Sequence, residues 1–111
     1  MAKNVVRFEQ TTVKKMVKEF HRLLKRYGLK QNNIAAAGSF LNGNYEKESD
    51  FDLIIISNSF EDKNQFERID MTIKAETDLR KRFFIPMNIL LKTPDEYEKS
   101  TNQYFDCKVI V

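Results

Sequence analysis

The sequence predicts an α/β fold of the α+β kind, in which helices pack on a small mixed β-sheet. Two long segments carry apolar residues at helical spacing, and short apolar runs typical of buried strands separate and follow them. The sequence has 3 Gly and 2 Pro among 111 residues, which favours regular elements joined by short connections. The order of these elements predicts a mixed sheet with helices packed on it. A chain of this length is expected to form one domain over residues 1–111.

The first long segment predicts a helix over residues 12–27, after a lead-in whose residues 4–8 are strand-like. Gly28 follows in the C′ position, where helices commonly end. His21 lies at the border of the apolar stripe and is expected to be structural. One face is basic, which is typical of a solvated surface and also suits a phosphate backbone or an acidic partner. The stripe consists of Val13, Met16, Val17, Phe20, Leu24 and Tyr27, and the basic face of Lys14, Lys15, Lys18, Arg22, Lys25 and Arg26.

Two strands and a second helix are expected next. The strands are predicted at residues 34–37 and 50–57, and a polar break follows at residues 58–64. The second long segment predicts a helix over residues 65–82. The apolar residues on one side of this helix are expected to be mainly packing residues. They are Phe66, Ile69, Ile73 and Phe83.

The last part of the chain predicts a strand over residues 87–92, a helix, and a final strand or arm over residues 105–111. Thr93 and Pro94 mark the helix start, because Thr is a good cap and Pro suits the first turn. Asp95 and Glu96 follow at the end of the helix where the dipole favours acids. We therefore expect them to stabilise the helix rather than to act as catalytic acids.

Composition excludes several classes of protein. The chain has 19 Lys and Arg against 16 Asp and Glu, and the net charge of +3 would attract a nucleotide without requiring one. Cys107 is the single cysteine, so an internal disulfide is excluded and a thiol in the terminal strand is expected. The sequence shows neither a secretory signal nor a run of about 20 apolar residues. A soluble cytoplasmic protein without a membrane partner is therefore expected.

A candidate site lies between residues 38 and 52. Gly38 and Ser39 follow the first short strand, where Gly allows a tight turn and a close backbone approach. The hydroxyl and the main-chain N–H groups there suit a phosphate. Asp50 and Asp52 begin the next strand. Because side chains alternate along a strand, both carboxylates are expected on one face, within reach of a common cation.

Two neighbouring carboxylates disfavour each other's ionisation, and the apolar strand that follows them is expected to be buried. A divalent cation would resolve this conflict. Mg²⁺ prefers oxygen ligands and usually binds through one or two carboxylates together with substrate phosphates. The plain alternative is an ordinary turn followed by the solvated start of a strand. The spacing and the apolar strand together favour a metal and phosphate site.

Gly38 and Ser39, ten further residues, and then Asp50 and Asp52 resemble the signature of the minimal nucleotidyltransferases, relatives of the DNA polymerase β superfamily. Residues 86–98 are also similar to that family's third core strand and the Thr-Pro-acidic helix that follows it. The resemblance therefore implies the nucleotidyltransferase fold over most of the chain.

The resemblance implies a transferase that moves a nucleoside monophosphate from an NTP to a hydroxyl acceptor, with pyrophosphate as the leaving group. ATP is the expected donor, and another NTP is the alternative. Asp50 and Asp52 would be catalytic ligands of Mg²⁺. The nucleotide-binding positions would be Gly38, Ser39, Gly43 and Ser49, the last two at places where members often carry Gly and Ser.

Two departures from the family pattern leave alternatives open. Asn88 stands where members usually carry a third carboxylate, and an amide is uncharged and cannot act as a base. Phe40, Leu41 and Asn42 stand where many members have an Arg. The chain is therefore expected to be one of two things. It is either an enzyme that works with two acids and Asn88 in the third catalytic position, or an inactive protein of the same fold that binds nucleotide or a partner.

The resemblance also suggests partners. Larger relatives that modify aminoglycosides carry an extra helical domain that this chain lacks, so the acceptor pocket is expected from a partner or from a second subunit of a homo-oligomer. Stand-alone minimal members often act as antitoxins beside a HEPN-domain toxin, and some transfer AMP to a tyrosine of that toxin. A HEPN-type helical protein is therefore the expected partner. Nucleic-acid binding through the basic first helix is a less favoured third hypothesis, because the usual aromatic and basic interleaving is missing.

Overall fold

The computed structural model describes residues 10–37, 51–84, 87–100 and 108–111. Within these ranges the first helix is followed by two strands, after which helices and strands alternate, and a short 3-10 turn spans Asn58–Phe60. None of the helices in these ranges is long and apolar enough to cross a membrane. The helices are α1 (Gln10–Arg26), α2 (Gln65–Arg82) and α3 (Pro94–Ser100), and the strands are β1 (Asn33–Ala37), β2 (Phe51–Ile56), β3 (Met87–Lys92) and β4 (Lys108–Val109).

The four strands form one mixed sheet in the order β3-β2-β1-β4. Strand β1 is antiparallel to both β2 and β4, whereas β2 and β3 are parallel. The predicted α+β class with a small mixed sheet is therefore confirmed. The expected third strand matches β3 residue for residue, and the expected first and second strands match β1 and β2 to within one residue at each end. The strand-like lead-in at residues 4–8 and residues 105–107 of the expected last strand lie outside the described residues.

One face of the sheet carries α1 and α2 and forms the main core. Four residues of the apolar stripe predicted for α1 are fully buried, namely Met16, Val17, Phe20 and Leu24, whereas the prediction was wrong for Tyr27, which follows the helix and is 41% exposed. Alternate residues of β1 and β2 meet them, including Ile34 and Leu53. The basic residues predicted for the outer face of α1 are exposed, as expected.

Gly28 ends α1 with a positive φ of 107°. Its N–H donates to the carbonyl of Lys25, at 3.1 Å, and the N–H of Leu29 donates to the carbonyl of Leu24, at 2.8 Å. These bonds satisfy carbonyls of the last helical turn and require a left-handed residue between them. The C′ position predicted for Gly28 is confirmed.

Helix α2 has the predicted bounds, but the prediction of its packing side was wrong. Phe66, Ile69 and Ile73 are 81%, 44% and 43% exposed. The helix instead buries Arg68, Thr72, Ala75 and Leu79. Phe83, just after the helix, is half-buried and packs on the core as expected. The apolar pattern indicated the wrong side of the helix because Arg68, a charged residue, lies on the buried side, where its guanidinium is hydrogen-bonded.

Arg68 is the polar centre of the packing between α2, β3 and α3. Its guanidinium donates to both carboxylate oxygens of Glu96, at 2.6 and 3.2 Å, and to the carbonyl of Leu91, at 3.1 Å. Its Nε donates to the carbonyl of Lys63, at 3.0 Å, and the group lies over the Phe60 ring, 5.7 Å from the centroid. A buried guanidinium is tolerated when it is paired and hydrogen-bonded in this way. These contacts fix which side of α2 faces the sheet.

Strand β3 is the outer strand of the described sheet, and two arginines of α2 cover part of its free edge. The carbonyl of Lys92 accepts from Ser57 and therefore points toward β2. Alternate carbonyls point the other way, and two of these accept from side chains: Leu91 from Arg68, and Met87 from Arg80 at 3.3 Å. These bonds occupy positions that an added strand would need.

Candidate functional site

The pairing of the strands brings the start of β2, the start of β3 and the end of β1 to one end of the sheet. Asp52 is paired in register with Ala37 on one side and with Asn88 on the other. Ala37, the residue that precedes Gly38 in the chain, therefore lies beside Asp52. The candidate residues Gly38, Ser39, Gly43, Ser49 and Asp50 lie outside the described residues.

Asp52 and Asn88 lie side by side on the face of the sheet opposite α1 and α2. The Asn88 Nδ2 donates a hydrogen bond of 3.2 Å to the Asp52 Oδ1. Asp52 is half-buried and Asn88 is exposed, so both side chains meet solvent. Ile54 and Leu90 stand two residues after Asp52 and Asn88 in their strands and therefore lie on this same face. They pack together with Tyr97 of α3. These three side chains form an apolar surface, called here the apolar floor, and the polar pair lies at its edge.

The charge of Asp52 is not neutralised by any residue that the structure describes. None of the ion pairs among the described residues includes it, and its neighbour Asn88 is uncharged. The described ranges also contain no cluster of three or more His, Cys, Asp or Glu. Asp52 therefore offers a solvent-accessible carboxylate that lacks a counter-charge among the described residues, and such a carboxylate could hold a hard cation such as Mg²⁺.

The sequence profile of the nucleotidyltransferase domain family matches residues 13–111, nearly the whole chain. The chain belongs to this nucleotidyltransferase family. Its fold agrees with that membership. A candidate nucleotidyltransferase from Sulfolobus solfataricus, whose crystal structure was solved at 1.40 Å, superposes with a TM-score of 0.54 at 14% identity. That alignment covers 92% of this chain and 86% of the other.

A second crystal structure, also of a candidate nucleotidyltransferase, superposes with a TM-score of 0.56 at 24% identity. This second alignment covers 83% of this chain and 94% of the other chain. At such identities the two structures show the shared fold alone, and the nucleotidyltransferase fold predicted from the motif is confirmed. No curated protein matches this nucleotidyltransferase chain.

Other acidic residues weighed from the sequence lie away from the Asp52 end of the sheet. Glu96 caps α3: its Oε1 accepts from the N–H of Thr93, at 2.9 Å, and the Thr93 Oγ1 accepts from the N–H of Glu96, at 3.1 Å. The Arg68 guanidinium and then the Thr93 N–H hold the pKa of Glu96 below its usual value. Asp95 forms an exposed ion pair with Lys99. The predicted role of Glu96 at the start of the helix is confirmed by these capping hydrogen bonds, whereas the role of Asp95 stays a prediction.

Asp78, a further acidic residue, and His21, which the sequence analysis expected to be structural, also take no part in this site as described. Asp78, on α2, accepts a hydrogen bond from the Tyr27 hydroxyl. His21 Nδ1 lies 2.7 Å from the Asn32 Oδ1, close to the start of β1 and therefore at the far end of the sheet from Asp52. Its expected structural role is consistent with that contact. Cys107 lies outside the described residues.

Sequence reasoning did not single out the apolar floor beside Asp52. Ile54 and Leu90 stand two residues after Asp52 and Asn88 in their strands, so strand alternation alone could have placed them there. Tyr97 could not be found in this way, because its position depends on how α3 packs against β3.

Proposed function

We propose that this chain is a metal-dependent nucleotidyltransferase, which transfers a nucleoside monophosphate, preferably AMP from ATP, to a hydroxyl acceptor. The acceptor oxygen would form a bond to the α-phosphorus, the bond from that phosphorus to the bridging oxygen would break, and pyrophosphate would leave. The hydroxyl proton would pass to solvent. The observation that supports this most is the register that sets Asp52 beside Asn88, at the end of β1 that leads into Gly38 and Ser39.

The residues at this end of the sheet fit a divalent cation. Asp52 has an uncompensated, solvent-accessible carboxylate, and with Asp50 it would hold Mg²⁺. When bound, Mg²⁺ would supply neutralisation of the charge that develops on the phosphate oxygens. The backbone at Gly38 and the Ser39 hydroxyl would bind the terminal phosphates.

The remaining residues define what the protein itself contributes. Gly43 and Ser49 would complete the nucleotide contacts. Asn88 would orient the Asp52 carboxylate through the hydrogen bond already present. Because an amide cannot accept the acceptor's proton, we expect slower turnover than a third carboxylate would give. Most of the rate enhancement would then come from positioning the two substrates.

The Asn88 to Asp52 hydrogen bond also favours a second candidate function. The Asn88 amide, a neutral donor, occupies the position beside Asp52. A third carboxylate in that position would repel the Asp52 carboxylate and attract a second metal ion. The same fold would then bind nucleotide without transferring it, and would act as an antitoxin or as the partner subunit of another protein. In either function we propose a HEPN-type helical protein as the partner, and in the first function this partner would provide the acceptor hydroxyl.

Calorimetric titration of ATP, with and without Mg²⁺, tests the proposal. We expect Mg²⁺-dependent binding to the wild type and at least a tenfold loss of affinity in Asp52→Asn and Asp50→Asn. Asp95→Asn is the matched control, because Asp95 is a solvated carboxylate paired only with Lys99 among the described residues. Its affinity should be unchanged.

Turnover is tested by following pyrophosphate release in lysate of the source cells, which retains the natural acceptor. Release that requires Asp52 supports the transferase. Binding without release would favour the inactive binding protein. Binding that is independent of Mg²⁺, or that is equal in the wild type and both Asp variants, would refute the metal-dependent nucleotide site.

A further inference from the structure

A second pocket, of about 420 Å³, lies at the end of the sheet opposite Asp52. Asn33 begins β1 and pairs with Ile56 at the end of β2, whereas Asp52 pairs with Ala37 at the other end. Four residues of strand, or about 13 Å, separate the two ends. The walls of this pocket come from the last turns of α1, the segment that leads into β1, the segment that follows β2, and the first residue of α3.

The charge of this pocket has one sign. His21, Lys25 and Lys30 line it, and the described residues around it include no Asp or Glu. Both lysines are exposed, and neither forms an ion pair with a described residue. The one acid of α1, Glu19, is already paired with two arginines. A concave surface lined by one sign of charge concentrates ions of the opposite sign, so this pocket favours an anion.

Asn32 holds the His21 ring in one orientation. Asn32 is 6% exposed, its Nδ2 donates to the carbonyl of Leu29 at 2.8 Å, and its Oδ1 lies 2.7 Å from the His21 Nδ1. Because the amide nitrogen is used by Leu29, the amide oxygen faces the ring and the His21 Nδ1 must be the donor. The other ring nitrogen, Nε2, is then the one left to donate to a bound anion when the imidazole is protonated.

Ser57 fixes the two segments that form the floor of the pocket. It is 2% exposed, its Oγ donates to the carbonyl of Gln31 at 2.5 Å, and the same oxygen accepts from the N–H of Ser59 at 3.1 Å. These bonds join the segment before β1 to the segment after β2. A pocket whose walls are held in this way loses little further freedom when a ligand binds.

We propose that this pocket binds the phosphate group of a small phosphomonoester with a hydroxylated organic part, such as a sugar phosphate. A phosphomonoester carries close to two negative charges at neutral pH and has three acceptor oxygens. The ammonium groups of Lys25 and Lys30 and the imidazole of His21 match this charge and this number of acceptors. A carboxylate or a phosphodiester carries only one charge and matches them less well.

The size and the remaining lining of the pocket indicate the organic part. The volume exceeds that of a phosphate group and lies in the lower part of the range for small-molecule sites. The amides of Gln31, Asn33 and Asn58 also line the pocket, and they suit hydroxyl groups. The site lies apart from the Asp52 end of the sheet, so it goes beyond the proposed nucleotidyl transfer.

Nuclear magnetic resonance titration of the full chain with ribose 5-phosphate tests the site, in Mg²⁺-free buffer so that no metal binds at Asp52. His21 is the single histidine of the chain, so its imidazole signals are identified without ambiguity. We expect these signals to shift and to saturate with a dissociation constant of about 1 mM or tighter, as is typical of a ligand of this size. Ribose, which lacks the phosphate, should bind at least tenfold more weakly.

Lys25→Gln with Lys30→Gln should weaken the binding of ribose 5-phosphate at least tenfold, and since both residues are exposed the fold should be retained. Lys14→Gln with Lys15→Gln is the matched control, because it removes the same charge from α1 but about 15 Å along the helix, where salt screens the attraction. This control should bind like the wild type. Asp52→Asn should also bind like the wild type, so this proposal and the nucleotide site fail independently.

Three results would overturn the proposal. The first is the absence of a saturable shift of the His21 signals up to about 20 mM ribose 5-phosphate. The second is equal weakening in the two lysine pairs, because the anion would then be held by the general charge of α1. The third is tighter binding of a short single-stranded oligonucleotide that has no terminal phosphate, because that probe offers only phosphodiesters.

Discussion

Removing the carboxylate of Glu96 should destabilise the fold more than its exposed position on α3 suggests. Glu96→Ala deletes two charge-assisted hydrogen bonds to Arg68 and the hydrogen bond that caps α3 at Thr93. Arg68, whose side chain is only 6% exposed, then keeps the carbonyls of Lys63 and Leu91 but has no counter-charge. The cost therefore arises mainly from a buried cation rather than from a lost surface contact.

The magnitude follows from the contacts. Breaking a buried ion pair costs about 3–5 kcal/mol, but the Glu96 side chain is 46% exposed, so water replaces part of what is lost. Loss of the cap adds about 1 kcal/mol. We expect Glu96→Ala to lower the free energy of unfolding by about 2–4 kcal/mol. Glu96→Gln keeps an oxygen for the cap and one neutral hydrogen bond, and should cost about 1–2 kcal/mol.

Urea unfolding followed by circular dichroism measures these differences at neutral pH. Asp95→Ala is the control, because the ion pair of Asp95 with Lys99 is exposed on both sides and should contribute under about 0.5 kcal/mol. If Glu96→Ala and Asp95→Ala lower stability equally, Arg68 is not held as a buried cation and the argument is wrong.

The same interaction predicts a dependence on pH. Because the pKa of Glu96 is lowered in the folded protein, its contribution is fully present above the pKa of the unfolded chain. It is lost as the pH falls through the lower, folded value. The difference in stability between the wild type and Glu96→Gln should therefore shrink in acid and remain constant between neutral pH and mildly alkaline pH.

Three further predictions concern other parts of the chain. Asn88→Asp should raise pyrophosphate release if the chain is an active transferase, and should leave it at zero if the fold serves only for binding. Gly28→Ala should lower stability by about 1–2 kcal/mol in thermal unfolding because φ is positive there. An added Cβ would meet no atom within 4 Å, so the backbone conformation is the only expected source of the loss, and a gain in stability would refute it. The hydrogen bond to Asp78, then desolvation, raises the pKa of Tyr27, so its contribution to stability is present below the ordinary tyrosine pKa and lost above the raised one. Tyr27→Phe should remove this alkaline loss, and an identical profile in both proteins would contradict it.

Much of this fold follows from local sequence patterns, and the exceptions have a common cause. The bounds of α2 and β3, the end of α1 at Gly28 and the cap at Thr93 each depend on residues close together in the chain. The side on which α2 packs depends instead on Glu96, which lies 28 residues beyond its partner Arg68. Apolar periodicity contains no information about such a pair. It therefore assigned Phe66, Ile69 and Ile73 to the interior.

The candidate site shows the same division. Strand alternation explains why Asp52 shares a face with Ile54, but only the resemblance to the minimal nucleotidyltransferases brought Asn88 to the same place. The parallel register of β2 and β3 then sets the two side chains within hydrogen-bonding distance. Registers between strands more than thirty residues apart in the sequence cannot be read from either strand alone.

One turn of α3 touches both faces of the sheet. Glu96 reaches toward α2 and holds Arg68, and the next residue, Tyr97, packs on the opposite face with Ile54 and Leu90, beside the candidate site. This turn of α3 therefore contacts both faces of the sheet beside the outer strand, so a substitution that loosens its contacts with α2 should also loosen the packing of Tyr97 against Ile54 and Leu90. If a nucleotide binds beside these residues as proposed, such a substitution should weaken its binding without ever contacting it.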